Sequence, residues 1–160
     1  VGINHYHNMR AKADPNGFNG IDIIQAEPND QSSWNWPNTP WALHKILKRV
    51  NLEFSQLPVY ITENGITLND YTDTNGVCTD LDRIDYLNGY IDAVAQAIGE
   101  GVPVKGYFAW SFMDNFEWAE GYSKRFGLVY VDYPTQLRYP KASAFWYRDL
   151  IAEHKQKASN

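Results

Sequence analysis

Residues 58–65 read Pro-Val-Tyr-Ile-Thr-Glu-Asn-Gly and contain the clearest strand pattern of the chain. Its β-branched and aromatic run at 59–62 predicts a buried strand, which the turn signal Asn64-Gly65 ends. Glu63 therefore stands at the carboxyl end of a strand, where a carboxylate loses hydration energy unless it has polar partners or a function. Position alone slightly favours a solvated or capping side chain over a catalytic one.

Strand and helix patterns alternate around this stretch. Strand patterns occur at residues 1–6, 104–110 and 126–131, and helical spacing of apolar residues occurs at 43–50, 81–98 and 142–152. Thr39-Pro40 is a helix-start signal before the first helix. Strands alternating with helices predict an α/β fold of parallel β/α units. Long polar loops at 7–39 and 66–79 follow strands, on the side where β/α barrels build their active sites.

Composition and charge exclude several function classes. The 160 residues carry a net charge of −5, which argues against a nucleic-acid or membrane surface as partner. Cys78 is the one cysteine, more typical of a packing thiol than of a nucleophile, and the four histidines lack zinc-ligand spacing. We therefore predict no metal and no cofactor. The sequence has neither a signal peptide nor an apolar span, so a cytoplasmic location is expected.

Three further motifs accompany the strand that ends at Glu63. They are Gly2-Ile3-Asn4-His5-Tyr6, Tyr107-Phe108-Ala109-Trp110-Ser111-Phe112-Met113-Asp114-Asn115-Phe116-Glu117-Trp118 and Gly121-Tyr122-Ser123-Lys124-Arg125-Phe126-Gly127-Leu128. Their order and spacing resemble glycoside hydrolase family 1, the β-glucosidase family. The resemblance implies that residues 1–160 are the C-terminal part of a (β/α)8 TIM barrel, strands six to eight with their helices. It also implies hydrolysis of terminal non-reducing β-D-glycosides with retention of configuration.

The resemblance assigns the attacking carboxylate and its hydrogen-bond donor. By analogy Glu63 is the nucleophile, and Tyr6 matches the family tyrosine that donates a hydrogen bond to it. The alternative for Tyr6 is a core tyrosine, and the alternative for Asn4 is an ordinary strand-end polar residue. We expect a functional role for Tyr6 and a substrate-binding role for Asn4.

A second group of residues is expected to bind the sugar. Trp110, Glu117, Trp118 and Phe126 match residues of the family's terminal-sugar site, where indole rings wall the site and a carboxylate accepts hydroxyl hydrogen bonds. Trp36 matches a tryptophan that faces the leaving group, whereas Trp34 and Trp41 match no site position and are expected to pack within the protein. The alternative is that the two tryptophans of the 110–118 motif are core residues and Glu117 a loop acid. Because Glu117 would repel a phosphate, the predicted substrate is an unphosphorylated β-glucoside or β-oligosaccharide.

The family's acid/base group has no counterpart in this sequence. Ala26-Glu27-Pro28 resembles the required Asn-Glu-Pro motif, but it lies between strands six and seven and lacks the Asn, so a turn is the simpler interpretation. The chain also begins within a predicted strand. We therefore expect the N-terminal barrel strands, on the same or a second chain, as partner, and an inactive isolated chain. A non-catalytic sugar-binding module and a purely structural fragment remain alternatives.

Overall fold

The computed structural model describes residues 1–24, 32–54 and 57–158. Its elements in chain order are β1 (Gly2–Asn4), β2 (Arg10–Ala13), β3 (Ile21–Ile24), α1 (Pro40–Glu53), β4 (Val59–Asn64), α2 (Leu81–Gly99), β5 (Val104–Ala109), β6 (Val129–Asp132), β7 (Leu137–Pro140) and α3 (Ala142–Ala158). Strands β1, β4 and β5 alternate with the three helices, so the predicted α/β order is confirmed.

The central sheet is parallel and has the order β1-β4-β5. Ile3 pairs with Ile61, which in turn pairs with Tyr107, so side chains of these three strands line up on one face. The helices cover this face, and the core between them and the sheet includes the fully buried Leu43 and Leu87. The carboxyl ends of all three strands consequently lie together at one edge of the sheet, below the long loops.

The opposite face of the sheet is open in this chain. Tyr60 and Phe108 project from it and are 41% and 57% exposed. Gly106 leaves room between them, because a Cβ there would lie 2.8 Å from the Tyr60 ring. A β/α barrel buries this inner face by closing eight strands around it. The uncovered apolar face agrees with the expectation of an incomplete barrel.

The helices extend beyond their predicted ends. α1 begins at Pro40, with Thr39 at the N-cap position, but the Thr39 hydroxyl makes no cap hydrogen bond and lies beside Tyr90 Oη at 3.5 Å instead. α3 continues from 152 to Ala158. Its polar last residues are exposed, and Lys155 and Lys157 lie in the last turn, where a cation is favourable beside the helix carbonyls.

The sequence prediction missed the pairing of two antiparallel hairpins. β2 and β3 pair within the predicted loop at 7–39, and β6, which overlaps the predicted β-segment at 126–131, pairs with β7. β2 reads Arg-Ala-Lys-Ala and β3 reads Ile-Asp-Ile-Ile, and every residue of both strands is exposed, so this hairpin adds nothing to the core. The Ala26-Glu27-Pro28 segment lies outside the described residues.

Candidate active site

Glu63 lies at the end of β4 and receives a hydrogen bond from the first strand. Tyr6 Oη donates to Glu63 Oε2 at 2.6 Å, and the His5 backbone N–H donates to the Glu63 carbonyl at 2.9 Å. Burial raises the pKa of Tyr6, and the hydrogen bond to Glu63 raises it further. The tyrosine therefore stays protonated and acts as a donor to the carboxylate.

The residues after Glu63 hold the ends of the three strands together. Asn64 is fully buried and donates from Nδ2 to the His5 carbonyl at 2.7 Å, while its own carbonyl accepts from the Trp110 N–H at 2.8 Å. Gly65 lies directly against Trp110, because a Cβ at this position would be 1.9 Å from the Trp110 carbonyl oxygen. Backbone contact thus fixes the spacing between the Glu63 and Trp110 segments.

Glu117 lies on the loop after β5 and interacts with both Trp110 and Glu63. Burial raises the pKa of Glu117, a hydrogen bond from Trp110 lowers it, and the charge of Glu63 raises it again, with a net upward shift. The loop closes on itself through a hydrogen bond from the Glu117 N–H to the Gly121 carbonyl at 2.6 Å. A sugar bound between Glu63 and Glu117 would have hydrogen-bond acceptors on both sides.

Trp118 follows Glu117 at the tip of this loop. It has φ 40° and starts the short 3-10 turn Trp118–Glu120. Its side chain is 84% exposed, so it is available to a ligand and is not part of the core. The core alternative for Trp118 is therefore wrong in this chain, whereas its contact with a sugar stays a prediction.

An aromatic cluster lies beside Tyr6. The Trp36 ring is 5.5 Å from the Tyr6 ring, 4.7 Å from His7 and 4.6 Å from Trp34, measured between centroids. Phe126 lies beneath these rings, 5.9 Å from Tyr6. The 32–39 loop therefore presents an indole wall next to the predicted nucleophile.

The structure separates the two tryptophans for which packing was expected. Trp34 packs as expected, against the Trp36 ring at 4.6 Å and the Phe126 ring at 5.9 Å, and Lys124 Nζ lies 5.6 Å above its ring. Lys124 also donates to the Ser33 carbonyl at 2.9 Å, which ties the Glu117 loop to this cluster. Trp41 was expected to pack as well, but it is 53% exposed on α1.

Two predicted sugar-binding residues are engaged within the protein. Phe126 is only 3% exposed, so in this chain it supports the aromatic cluster from below. Asn4 is exposed on the inner face, and its Oδ1 accepts a hydrogen bond from Thr62 Oγ1 at 2.6 Å. Their roles toward a substrate stay predictions.

A buried ionic network lies under the loops, and sequence reasoning missed it. It joins three carboxylates to three cations, namely Asp70, Asp80, Asp114, Arg83, Arg125 and Lys141. Arg83 and Lys141 are essentially inaccessible to solvent. Asp114 also accepts hydrogen bonds from the Gly127 N–H at 2.9 Å and the Val131 N–H at 3.4 Å. The network thus shapes the loop that carries Glu117. Its sole local sequence signal is the Asp-x-x-Arg pair at the start of α2.

In the part of the chain that the structure describes, the remaining reactive side chains offer no second catalytic centre. Cys78 is buried, and burial raises its pKa to about 11, so it is a poor nucleophile. His5 is buried near the β1 end, and burial together with the charge of His7 lowers its pKa. Within residues 1–24, 32–54 and 57–158, no three His, Cys, Asp or Glu side chains cluster as a metal site would require. In the same ranges, no helix is long and apolar enough to cross a bilayer.

The fold and the strand-end residues together define a segment of a β/α barrel with two carboxylates and an aromatic cluster at the carboxyl ends of its strands. The family model for glycosyl hydrolase family 1 matches residues 1–156, and the chain belongs to that family. Its solved relatives include a β-glucosidase from Thermotoga maritima in complex with deoxynojirimycin, with TM-score 0.91 and 45% identity over 95% of this chain and 34% of that one. The predicted TIM-barrel segment is thereby confirmed.

Curated relatives carry different substrate names. A 1,4-beta-D-glucan glucohydrolase of Thermotoga neapolitana is 46% identical over 94% of this chain and 34% of its own length. A 6-phospho-beta-galactosidase of Clostridium acetobutylicum is 45% identical over 78% of this chain and 26% of its own. The chain thus spans about a third of the length of the relatives that it matches.

Proposed function

We propose that this chain is the nucleophile-bearing part of a retaining β-glycosidase. The observation that carries the proposal is the 2.6 Å hydrogen bond from Tyr6 Oη to Glu63 Oε2 at the carboxyl ends of two neighbouring strands. A hydrogen bond to an ionised carboxylate stabilises its charged form and orients one oxygen. The other oxygen is then the one directed to the anomeric carbon.

The reaction would proceed in two displacements. A Glu63 oxygen attacks the anomeric carbon, the bond to the leaving oxygen breaks, and an acid protonates that oxygen. Water then attacks the same carbon, gives its proton to the former acid, and releases Glu63 with net retention. The acid must lie about 5–5.5 Å from Glu63 across the bond. We assign it to the barrel strands upstream of this chain.

The proposed substrate is a β-glucoside or β-oligosaccharide without a 6-phosphate. The named relatives include enzymes for both phosphorylated and unphosphorylated sugars, so the choice rests on the residues of this chain. Glu117 stands where the terminal sugar is expected, and its carboxylate accepts hydrogen bonds from hydroxyls but repels a phosphate. Trp110 and Trp118 would supply the flat apolar contacts for the sugar face.

The proposed partner of this chain is the set of barrel strands that it lacks. Open sheet edges beside β1 and β5 and the exposed Tyr60 and Phe108 support this, because closing the barrel would bury both features. Without those strands, the leaving oxygen has no positioned acid. We therefore expect the isolated chain to have negligible activity on an aryl β-glucoside.

Trapping of the glycosyl-enzyme tests the assignment of Glu63. In the complete barrel, a 2-deoxy-2-fluoro β-glucoside should inactivate the enzyme, and peptide mass mapping should find the sugar on Glu63. Glu63→Gln should abolish labelling and nearly all turnover, while Glu53→Gln, on the exposed end of α1, should change neither. Label on Glu117 would overturn the assignment, and glucose binding without turnover would favour the sugar-binding module.

Comparing phosphorylated and unphosphorylated substrates tests the proposed specificity. An aryl β-glucoside should be hydrolysed with a much larger kcat/KM than the same glucoside bearing a 6-phosphate. Glu117→Gln removes the negative charge and keeps the side-chain shape, so the ratio of kcat/KM for the unphosphorylated substrate to kcat/KM for the 6-phosphate should decrease. A wild-type preference for the phosphorylated substrate would contradict the role given to Glu117.

A further inference from the structure

Two tyrosines of α2 converge on the backbone of Tyr6. Tyr86 and Tyr90 lie four residues apart on one face of the helix, with ring centroids 4.4 Å apart. Tyr86 Oη donates to the Tyr6 carbonyl at 2.6 Å and Tyr90 Oη donates to the same oxygen at 2.8 Å. Both side chains are buried, and burial raises the pKa of each, so both remain protonated donors.

Each hydroxyl also accepts a hydrogen bond from a different part of the site. Tyr86 Oη accepts from Asn64 Nδ2 at 3.1 Å, which joins Tyr6 to the residue after Glu63. Tyr90 Oη accepts from the Thr39 N–H at 3.2 Å, which joins Tyr6 to the end of the loop that carries Trp36. The two tyrosines therefore connect the Tyr6 backbone separately to the nucleophile strand and to the aromatic loop.

We propose that Tyr86 and Tyr90 are positioning residues that fix Tyr6 and thereby aim its hydroxyl at Glu63. This inference rests on the proposed glycosidase function. Tyr6 follows β1 and is outside the regular ladder, so the sheet does not fix its backbone. Two donors on one carbonyl restrict the rotation of that peptide, and small displacements at a reacting group lower rates steeply. Because Tyr86 links Tyr6 to Asn64, its loss should affect the chemical step. Because Tyr90 links Tyr6 to the loop that carries Trp36, its loss should affect both the chemical step and the binding of the leaving group.

A positioning role of Tyr86 and Tyr90 and a purely structural role would have different effects on the enzyme. Loss of a buried hydroxyl could reduce the fraction of folded enzyme without changing the enzyme that folds. Titration of active sites with the fluorinated glucoside counts competent molecules, so kcat can be expressed per titrated site. Misplacing the Tyr6 hydroxyl slows the chemical step in every competent molecule, so kcat per titrated site falls, whereas a folding defect alone leaves kcat per titrated site unchanged.

The test uses Tyr86→Phe, Tyr90→Phe and the double variant in the complete barrel, in which this chain is joined to the upstream strands. The matched control is Tyr147→Phe, which removes a hydroxyl that donates to the Tyr107 carbonyl at 3.3 Å, away from Tyr6. We expect kcat per site to fall roughly tenfold for each single variant and further for the double variant. For Tyr90→Phe, the change in KM relative to the wild type should also depend on the leaving group of the substrate. The control should stay within about twofold.

The outcomes separate this inference from the proposed function. Failure of the wild-type barrel to be labelled or to hydrolyse β-glucosides would refute the proposed function, and the inference with it. Normal turnover by the wild-type barrel, together with an unchanged kcat per site in both variants, would overturn the inference alone. Equal losses in the Tyr147→Phe control would likewise assign the effect to packing and overturn it.

Discussion

Lys141 is the most informative position at which to perturb the buried ionic network. Its ammonium contacts Asp70 Oδ2 at 2.5 Å and Asp114 Oδ1 at 2.9 Å, and the side chain is completely buried just before α3. Methionine has a similar length and no charge. Lys141→Met therefore removes one cation and leaves two carboxylates short of a partner.

The expected loss of stability follows from the charge balance of the network. The wild-type network has three carboxylates and three cations, whereas Lys141→Met leaves three carboxylates and two cations. One buried negative charge is then uncompensated. Removing one member of a buried pair typically costs about 3–5 kcal/mol in the free energy of unfolding. That is a large part of the roughly 5–15 kcal/mol that stabilises a domain. Lys12→Met, in the half-exposed Lys12–Asp22 pair at 3.3 Å, should cost only about 0–1 kcal/mol.

Urea unfolding of the complete barrel, followed by tryptophan fluorescence and circular dichroism, measures both values. A double variant, Lys141→Met with Asp70→Asn, restores the balance of the remaining charges. It should be less destabilised than the sum of the two single variants, and the difference is their coupling energy. If Lys141→Met is no more destabilising than Lys12→Met, or if the two network substitutions are additive, the balanced-network interpretation is wrong.

Three further outcomes are expected. Tyr6→Phe should lower kcat about 10- to 100-fold with the fold intact, because it removes a hydrogen bond to the Glu63 carboxylate. A hydrogen bond to a charged group contributes about 1.5–3 kcal/mol. An unchanged kcat would contradict this role of Tyr6. Burial opposes the ionisation of Asp70, but the two cations beside it hold the pKa of its carboxyl below the ordinary value. The contribution of Asp70 to stability is therefore present above about pH 4 and is lost as the pH falls further. Thermal melts between pH 5 and 2.5 should show this loss, and Asp70→Asn should reduce the slope. Gly65→Ala should lower both stability and activity, since its Cβ would collide with the Trp110 carbonyl, and a wild-type melting temperature would refute that.

Local patterns predicted the elements that bury apolar side chains. The spacing at 81–98 gave α2 within one residue of its end at Gly99, because a helix against a sheet needs one apolar face. The Tyr6–Glu63 hydrogen bond was expected from the family resemblance and is present. The exposed β2–β3 hairpin was missed although Ile21, Ile23 and Ile24 are β-branched, because the many Asn, Asp, Gly and Pro residues at 7–39 are typical of a loop.

Contacts between distant polar residues could not be predicted from local sequence. Lys141 and Asp70 are far apart in the chain, and each alone is typical of a solvated surface residue. Only the packing of the β4 and β5 loops against the starts of α2 and α3 brings them together. The contact of Lys124 with the Trp34 ring could not be predicted for the same reason, because the two residues lie on different loops.

The tight backbone contact between Gly65 and Trp110 divides the predicted site into a part that cannot tolerate substitution and a part that can. The contact leaves no space for a side chain, so the segment that ends at Gly65 and the backbone of Trp110 cannot change independently. Trp118, by contrast, extends from the self-closed turn 118–121 with most of its side chain in solvent. Substitutions at 118–121 leave Glu63, Trp110 and Glu117 in place. A library aimed at new substrates should therefore vary residues 118–121 and keep 63–65, 110 and 117 constant.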